Sequence, residues 1–463
     1  MGRRRAGGRG GPKGGLREAF DTQLGAEVEA LIGPGAARGL DLGAIETAAR
    51  RRALGVAARA VERCLDADTS DHAGPTLPCA CGALARYAGR RARACTTALG
   101  ELTLSRAWYH CDACGHGTCP RDRALGIAGT SLSPAVTRMV GHAAAMVSFA
   151  ESSELIDELA GVSVDAKQVE RTAAALGREI AQDERDGVEE GSPSAPVMYL
   201  GMDGTGVPMR ASELVGRAGK RPDGTAGTRE VKLVTVWTAE GRDAKGIPVR
   251  DPGSVSCSAA IESAATHDTD AAPSVFARRV EREARRRGLD VATRCVVIGD
   301  GAPWIWGIAG ELFPGAVEIV DLFHAKQHLG DVARAIYGPT SDLGRQWARE
   351  RHAQLDDGLL DELLDELRVH ADASDEARRC LGYVETNRRR MRYPEFRAQG
   401  LCVSSGVVEA GCKVVVGTRL KRAGMHWTLA GADAIIALRC CQLSGRFDAF
   451  WERRSRAARA AAA

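Results

Sequence analysis

The chain has 463 residues, 44% of them hydrophobic and 27% charged, the balance of a soluble globular protein with several domains. Its net charge of +3 is too small to argue for nucleic acid by itself, so any such case must come from local basic patches. No apolar run is long enough to span a membrane, and Met1 to Gly15 lacks the apolar block of a secretory signal. A cytoplasmic location follows as the expectation, with the 14 cysteines reduced and their clusters open to metal.

In chain order, 1–15 reads as a disordered Gly/Arg-rich tail and 16–76 as a helical region that ends in a linker, Asp66 to Pro75. A Cys-rich module with short β stretches (Leu102–Leu104, Ala107–Tyr109) occupies 77–120. Helices return over 131–186, followed by a second linker at Gly187–Pro196. From 197 to 324 strands (Val197–Met202, Val231–Thr238, Cys295–Ile298, Val317–Val320) alternate with helices (Ser274–Arg287, Trp304–Leu312). That alternation predicts an α/β layer with a mostly parallel sheet. The stretch 325–400 is charged, helical and free of strand signal; 401–450 holds a closing helix from near Ser404, and 451–463 is a basic Ala-rich tail. The fold class is therefore multidomain α+β. Arg-rich runs at Arg3–Arg5, Arg278–Arg287, Arg388–Arg392 and Arg419–Arg422 are either solvated helix faces or local basic patches.

Two thiol pairs stand out. Cys79-Ala80-Cys81-Gly82 and Cys111-Asp112-Ala113-Cys114-Gly115 supply four soft ligands on two Gly-ended turns, with β-like chain between them. That is the donor set of a closed, structural zinc site in a zinc-ribbon-like module. The first turn has one residue between its cysteines where two are usual, and Cys95, His110, His116 and Cys119 lie near enough in sequence to substitute.

Phe149–Ala160 is an amphipathic helix, Gly161–Ser163 a tight turn, and Val164–Ile180 a second helix with Val169, Ala173 and Leu176 on one face and Ser163 placed to cap it. The pattern fits a helix-turn-helix that presents Lys167, Gln168 and Arg171 to the major groove of duplex DNA, or an ordinary helical hairpin.

Two strands end alike: Leu200-Gly201-Met202-Asp203-Gly204 and Ile298-Gly299-Asp300-Gly301. Ligands of parallel sheets bind beyond the carboxyl ends of strands, and the glycines allow close approach there. A third acid, Glu409, follows Ser404 and Ser405, either of which can cap its helix. Val408, Cys412 and Val415 form that helix's buried stripe, leaving Glu409 beside Lys413. Converging carboxylates repel unless a cation sits among them, so the trio points to Mg2+ (or Mn2+) and to phosphoryl displacement.

These strings, with Tyr199–Gly206, Gly299–Trp306, Ile319–Leu329, Arg388–Pro394 and Ser405–Glu409, resemble bacterial insertion-sequence transposases of the DDE type, close to the Kra-type group, over about residues 77–450. The resemblance implies an RNase H-like catalytic domain with an all-helical insertion at 325–400. It assigns the catalytic triad to Asp203, Asp300 and Glu409. It adds an Asp-x-x-His element, Asp321 to His324, with His324 at the scissile phosphate and His328 as the weaker candidate. Lys413, Arg419, Lys421 and Arg422, with Trp427 after them, would contact phosphates of the element end. The loop Arg210–Arg229 would order only on DNA. Partners would be double-stranded DNA, as transposon ends and target, and further copies of the chain in a homo-oligomer at the bacterial nucleoid; no membrane is involved. A metal-dependent nuclease or resolvase on the same fold, and a domesticated DNA-binding protein with an idle centre, are the alternatives.

Overall fold

The computed structural model describes residues 38–187, 196–219, 224–244, 246–265, 272–404 and 406–460, and before them residues 21, 22, 25, 26, 29, 30 and 33. The tail expected at 1–15, most of the linker at 187–196, and Ser405 lie outside the described residues. The chain divides into two units: 1–143 with 149–169 and 451–463, and 144–148 with 170–450. No helix among the described residues is long and apolar enough to cross a membrane.

In the first unit, α1 (Leu42–Ala67) opens at Asp41, whose carboxylate accepts from the Ala44 N–H at 2.8 Å. An antiparallel sheet follows in the order β1 (Thr76–Pro78), β2 (Leu84–Thr97), β3 (Gly100–His110), β4 (Gly117–Thr118). The short β stretches expected here are one long hairpin. Its β-branched and aromatic content understates the strand because β2 carries four arginines, two of them exposed and two, Arg90 and Arg93, bonded to Asp71 and Asp122. Asp66–Pro75 is not a free linker: Asp66 and Ala67 belong to α1, and the Asp71 carboxylate accepts from Arg90 at 2.9 Å and from the Ala107 N–H at 2.7 Å. A short helix, α2 (Pro120–Ala124), precedes α3 (Pro134–Met146), α4 (Phe149–Ala160) and α5 (Ala166–Asp186). Gly161 takes φ +67° at the end of α4, as a helix-ending glycine does. The cap of α5 is Asp165, whose carboxylate accepts from the Gln168 N–H at 2.9 Å, and not Ser163; the turn runs two residues further because Val162 and Val164 are both buried.

The second unit is built on a five-stranded sheet, β11 (Val317–Val320), β10 (Arg294–Gly299), β5 (Val197–Pro208), β6 (Thr228–Trp237) and β9 (Ser256–Ala260), in that spatial order. Only the β11–β10 and β10–β5 pairs are parallel; β5–β6 and β6–β9 are antiparallel. The mostly parallel sheet is therefore corrected to a mixed one. The reason is local: no crossover helix separates β5, β6 and β9, only loops and the small ribbon β7 (Gly241–Arg242) with β8 (Pro248–Val249). Helices α6 (Val275–Arg286) and α7 (Pro303–Leu312) flank β10. The strand-free stretch is indeed helical: α8 (Leu322–Tyr337), α9 (Asp342–Asp357), α10 (Leu360–Ala371), α11 (Asp375–Asn387) and α12 (Tyr393–Ala398). The chain then runs through α13 (Gly406–Gly411), a wide π-type turn at Cys412–Gly417, α14 (Thr418–Leu420), α15 (Leu429–Leu443) and α16 (Phe447–Ala460). Through Ala460 the expected C-terminal tail is thus helical.

Arg3–Arg5 lies outside the described residues, and each of the other arginine runs mixes exposed with buried members. Arg279, Arg286 and Arg390 are buried. Glu283, wholly buried, pairs with Arg286 at 2.7 Å and Arg446 at 2.8 Å, while Glu184 pairs with Arg446 at 3.0 Å. Burial alone would raise the Glu283 pKa; the two arginines hold it below the ordinary value. This lattice fixes α5 and α6 to the turn ahead of α16.

α13 lies directly on bare strand. A Cβ at Gly201 would fall 1.8 Å from Val408 Cγ2, and one at Gly411 would fall 2.8 Å from Leu233 Cδ2. We predict that Gly201→Ala lowers stability by about 1–3 kcal/mol through overpacking. Val408→Ala in the same chain should recover part of that loss, so that chemical denaturation shows the double variant to be more stable than the two single effects added. Strict additivity would refute the contact.

Candidate active site and metal centre

β5 and β10 run parallel in the register Gly299↔Met202. The next residue on each is an aspartate, so Asp203 and Asp300 sit side by side on strands about 4.8 Å apart. Asp300 follows the end of β10, but β5 does not end at Asp203 as its sequence suggests: it continues to Pro208 because β6 pairs with it along that whole length. Asp203 is half-buried and its Oδ1 accepts from the Gly204 N–H at 2.6 Å. Burial raises its pKa, and the charge of Asp300 adds to the rise; a hydrogen bond donated by the Cys412 thiol, the Gly204 N–H and the His324 ring act the other way. The Asp300 carboxylate accepts from the Ala302 N–H at 2.9 Å. Gly301 takes φ +101°, and a Cβ there would meet Tyr383 at 2.4 Å, which is why glycine follows this acid. The Tyr383 hydroxyl donates to the Asp300 carbonyl at 2.8 Å, tying the strand end to α11.

The Asp-x-x-His element opens α8. Asp321 Oδ1 accepts from the N–H groups of Phe323 at 2.8 Å and His324 at 3.3 Å, so Asp321 acts as the helix cap. His324, on the first turn of α8, lies near enough to lower the pKa of both Asp203 and Glu409, each as the last of several causes. His328, one turn on, lies 4.4 Å from the Tyr383 ring, and burial lowers its pKa.

Glu409 is exposed on α13 and pairs with Lys413 at 2.7 Å, as the helical spacing predicts. That hydrogen bond and charge, ahead of His324, hold its pKa below the ordinary range. Val408, Cys412 and Val415 are the buried stripe. The carboxylates of Asp203, Asp300 and Glu409 do not all fall within 4.8 Å of one another; the tight pair is Asp203 with Asp300, and Glu409 stands off, held by Lys413.

The basic residues after Glu409 separate. Lys421 is exposed and its ammonium contacts the Thr205 hydroxyl, two residues past Asp203; Arg422 is exposed. Arg419 is fully buried: its Nε donates to the Ala144 carbonyl at 2.9 Å and its guanidinium stacks over Trp427 at 5.2 Å. It is therefore a packing residue and not a phosphate contact, and so is Trp427, whose indole N–H donates to the Leu420 carbonyl at 2.9 Å. The loop expected to order only on DNA is a hydrogen-bonded hairpin over its described part, with Gly219 N–H to Gly224 O at 2.9 Å and Ala226 N–H to Arg217 O at 3.1 Å. On α5, Lys167 and Arg171 are exposed, while Gln168 donates to the Ser131 hydroxyl at 2.8 Å; Val169, Ala173 and Leu176 are buried as the periodicity predicts. Cys412 and Tyr383 escaped the sequence reading. One was hidden in an apolar stripe, and nothing local marks the other.

In the first unit, the ligand atoms of Cys79, Cys81, Cys111 and Cys114 all lie within 4.8 Å of one another. Two Sγ–Sγ separations, Cys79–Cys114 and Cys81–Cys111, are 3.6 Å. A tetrahedron with metal–sulfur bonds of about 2.3 Å has edges of roughly 3.8 Å, so the set suits structural zinc. Both turns close alike: Gly82 N–H donates to Cys79 O at 3.0 Å, and Gly115 N–H to Cys111 O at 2.8 Å. The shorter first turn therefore costs the site nothing. The Ala83 N–H, then the three neighbouring thiols, pull Cys81 down to about 7. Cys95 and Cys119 are buried apart from the cluster, and His110 and His116 do not join it.

No protein-family model and no curated protein matches the chain. Among solved structures, a chain of the Drosophila P element transposase strand transfer complex is similar over 72% of this chain and 84% of its own, at 10% identity and a TM-score of 0.24. At that level the likeness carries no argument about fold or activity.

The raised Asp203 pKa has a stability consequence. A carboxyl that holds its proton more tightly when folded than the ordinary 3.8 makes the native state progressively less stable as pH rises through that raised value. Asp203→Asn should therefore raise the unfolding temperature at neutral pH in chelator, and the gain should vanish in acid. A lower unfolding temperature at neutral pH would contradict the burial.

Proposed function

We propose that the chain is a DNA transposase of the DDE type, a bacterial insertion-sequence enzyme of the Kra-type group, acting at the nucleoid. The observation that carries the reading is the juxtaposition of Asp203 and Asp300 on adjacent parallel strands, one within β5 and one just past the end of β10, with His324 acting by charge on both Asp203 and Glu409. Three antiparallel strands followed by two that add in parallel beside the first support an RNase H-like domain, with α8–α12 as its helical insertion.

Asp203, Asp300 and Glu409 would hold Mg2+ (or Mn2+), a donor set of hard oxygens in which two carboxylates already repel. When bound, the metal supplies charge neutralisation at the phosphate and a more acidic water or 3′-hydroxyl. The chain's own residues do the rest. Glu409 exchanges Lys413 for the site, which frees the Lys413 ammonium for a DNA phosphate. His324 donates to the scissile phosphate, and Cys412 keeps the Asp203 carboxylate oriented. Lys421 and Arg422 position the backbone of the element end. The α4–turn–α5 pair reads the end through Lys167, Gln168 and Arg171, and the four-cysteine module carries zinc. Two ends must be held together for strand transfer, so the working form is a homo-oligomer.

Paired element-end duplexes with a target plasmid in Mg2+ test the reading. The unmutated chain should cleave and join. Asp300→Asn and Glu409→Gln should each reduce both steps on the order of 10²-fold or more while leaving end binding intact. Hydrolysis without joining would make the chain a nuclease, and full activity in both variants would sink the metal-centre reading. Metal analysis should find about one zinc per chain, lost in Cys111→Ser with a lower unfolding temperature. Zinc-free unmutated protein refutes the zinc assignment.

A further inference from the structure

A second polar site lies away from the three acids. β9 ends opposite Lys232, so residues 228–231 of β6 have a strand partner on the β5 side only. Beyond that point opens a cleft of about 540 Å³, lined by Arg217, Thr228, Arg229, Glu230, Lys232 and Glu262 among others. Arg217 is delivered by the paired segments 210–219 and 224–227, in which Ala226 N–H donates to the Arg217 carbonyl at 3.1 Å. Gly219 is needed there because a Cβ would lie 2.3 Å from the Ala226 Cα.

The charges in this cleft do not balance. Glu230 is taken by Lys232, and Glu262 by Arg279 at 2.7 Å. Lys232 also stands 5.4 Å over the Trp304 ring, which orients it. Arg217 and Arg229 have no carboxylate within ion-pair distance among the described residues; Glu213 and Asp433 act on Arg229 only from further away. Asp433 is itself half-buried, with burial raising its pKa and its Oδ1 accepting from the Ile261 N–H at 2.9 Å. Burial, and then the like charge of Arg217, lower the Arg229 pKa. Two guanidiniums held together without a counter-charge are costly by themselves. They are favourable around a multiply charged oxyanion, which accepts several N–H bonds at once.

We propose that this cleft binds a phosphate group through Arg217 and Arg229, with the Thr228 hydroxyl as a further donor. The inference stands independently of the triad: it needs neither the metal nor cleavage. The phosphate comes either from the DNA backbone, tracked beyond the active site, or from a free polyphosphate compound.

The test uses the full chain, with Arg217→Gln, Arg229→Gln and, as a charge control, Arg278→Gln on the exposed face of α6. Arg217 is exposed, so its replacement leaves the fold intact and keeps the test open if Arg229→Gln misfolds. In one arm, pyrophosphate is titrated and unfolding temperature followed. A rise in the unmutated protein and in Arg278→Gln, absent in the two cleft variants, supports a free polyphosphate. In the other arm, duplex affinity is measured against salt. A slope of log affinity against log salt that is smaller by about 0.9 for each cleft arginine removed, and unchanged in Arg278→Gln, supports the DNA backbone. If the cleft variants match the unmutated protein in both arms, or if Arg278→Gln loses as much as they do, the proposal is wrong.

Discussion

The contact between Val408 and the uncovered backbone of Gly201 decides where everything else in the second unit goes. A side chain at position 201 would lift α13 off the sheet, and with it Glu409, Cys412 and the wide turn that leads to Lys421. Glycine in a central strand weakens that strand. Here the loss is offset by bringing a helix within van der Waals reach of the strand that carries Asp203. The strand pairing does the complementary work, because a parallel register of β5 and β10 leaves two acids abreast without any loop having to guide them.

Electrostatics then divides the three acids into a pair and an outlier. Asp203 is desolvated, next to Asp300, and resists ionisation. Glu409 is solvated, next to Lys413, and ionises readily. His324 touches both populations by charge, and its backbone N–H is capped by the Asp321 carboxylate. The site as folded is thus polarised: a repulsive pair on rigid strands faces a mobile-length side chain on a helix, with an imidazole between them.

Much of this arrangement could be read without coordinates, because the signals were local. Apolar runs ending in Asp-Gly announced β5 and β10; a period of three to four residues announced α4, α5 and the Val408–Cys412–Val415 stripe; paired cysteines announced their own cluster. What failed was whatever depended on distant partners. The antiparallel half of the sheet follows from missing crossover helices, and an isolated strand does not reveal its neighbour's direction. Arg419 looked like its neighbours Lys421 and Arg422, yet it is buried against the Ala144 carbonyl and Trp427. Asp71 sat in a Gly/Pro-rich stretch that reads as linker, and only the folded hairpin supplies Arg90 and the Ala107 amide. Tyr383 had no local mark at all.

That tyrosine changes how the helical insertion should be regarded. Its hydroxyl reaches out of α11 to the Asp300 carbonyl, and its ring occupies the space that a side chain at Gly301 would need. The insertion is thereby a strut for the strand end and not a detachable ornament. Helices α9 and α10 share the core that holds α11, through Trp347, Leu363 and Leu367. A minimal version that excises the whole block would leave the second aspartate on an unbraced, freely turning hinge.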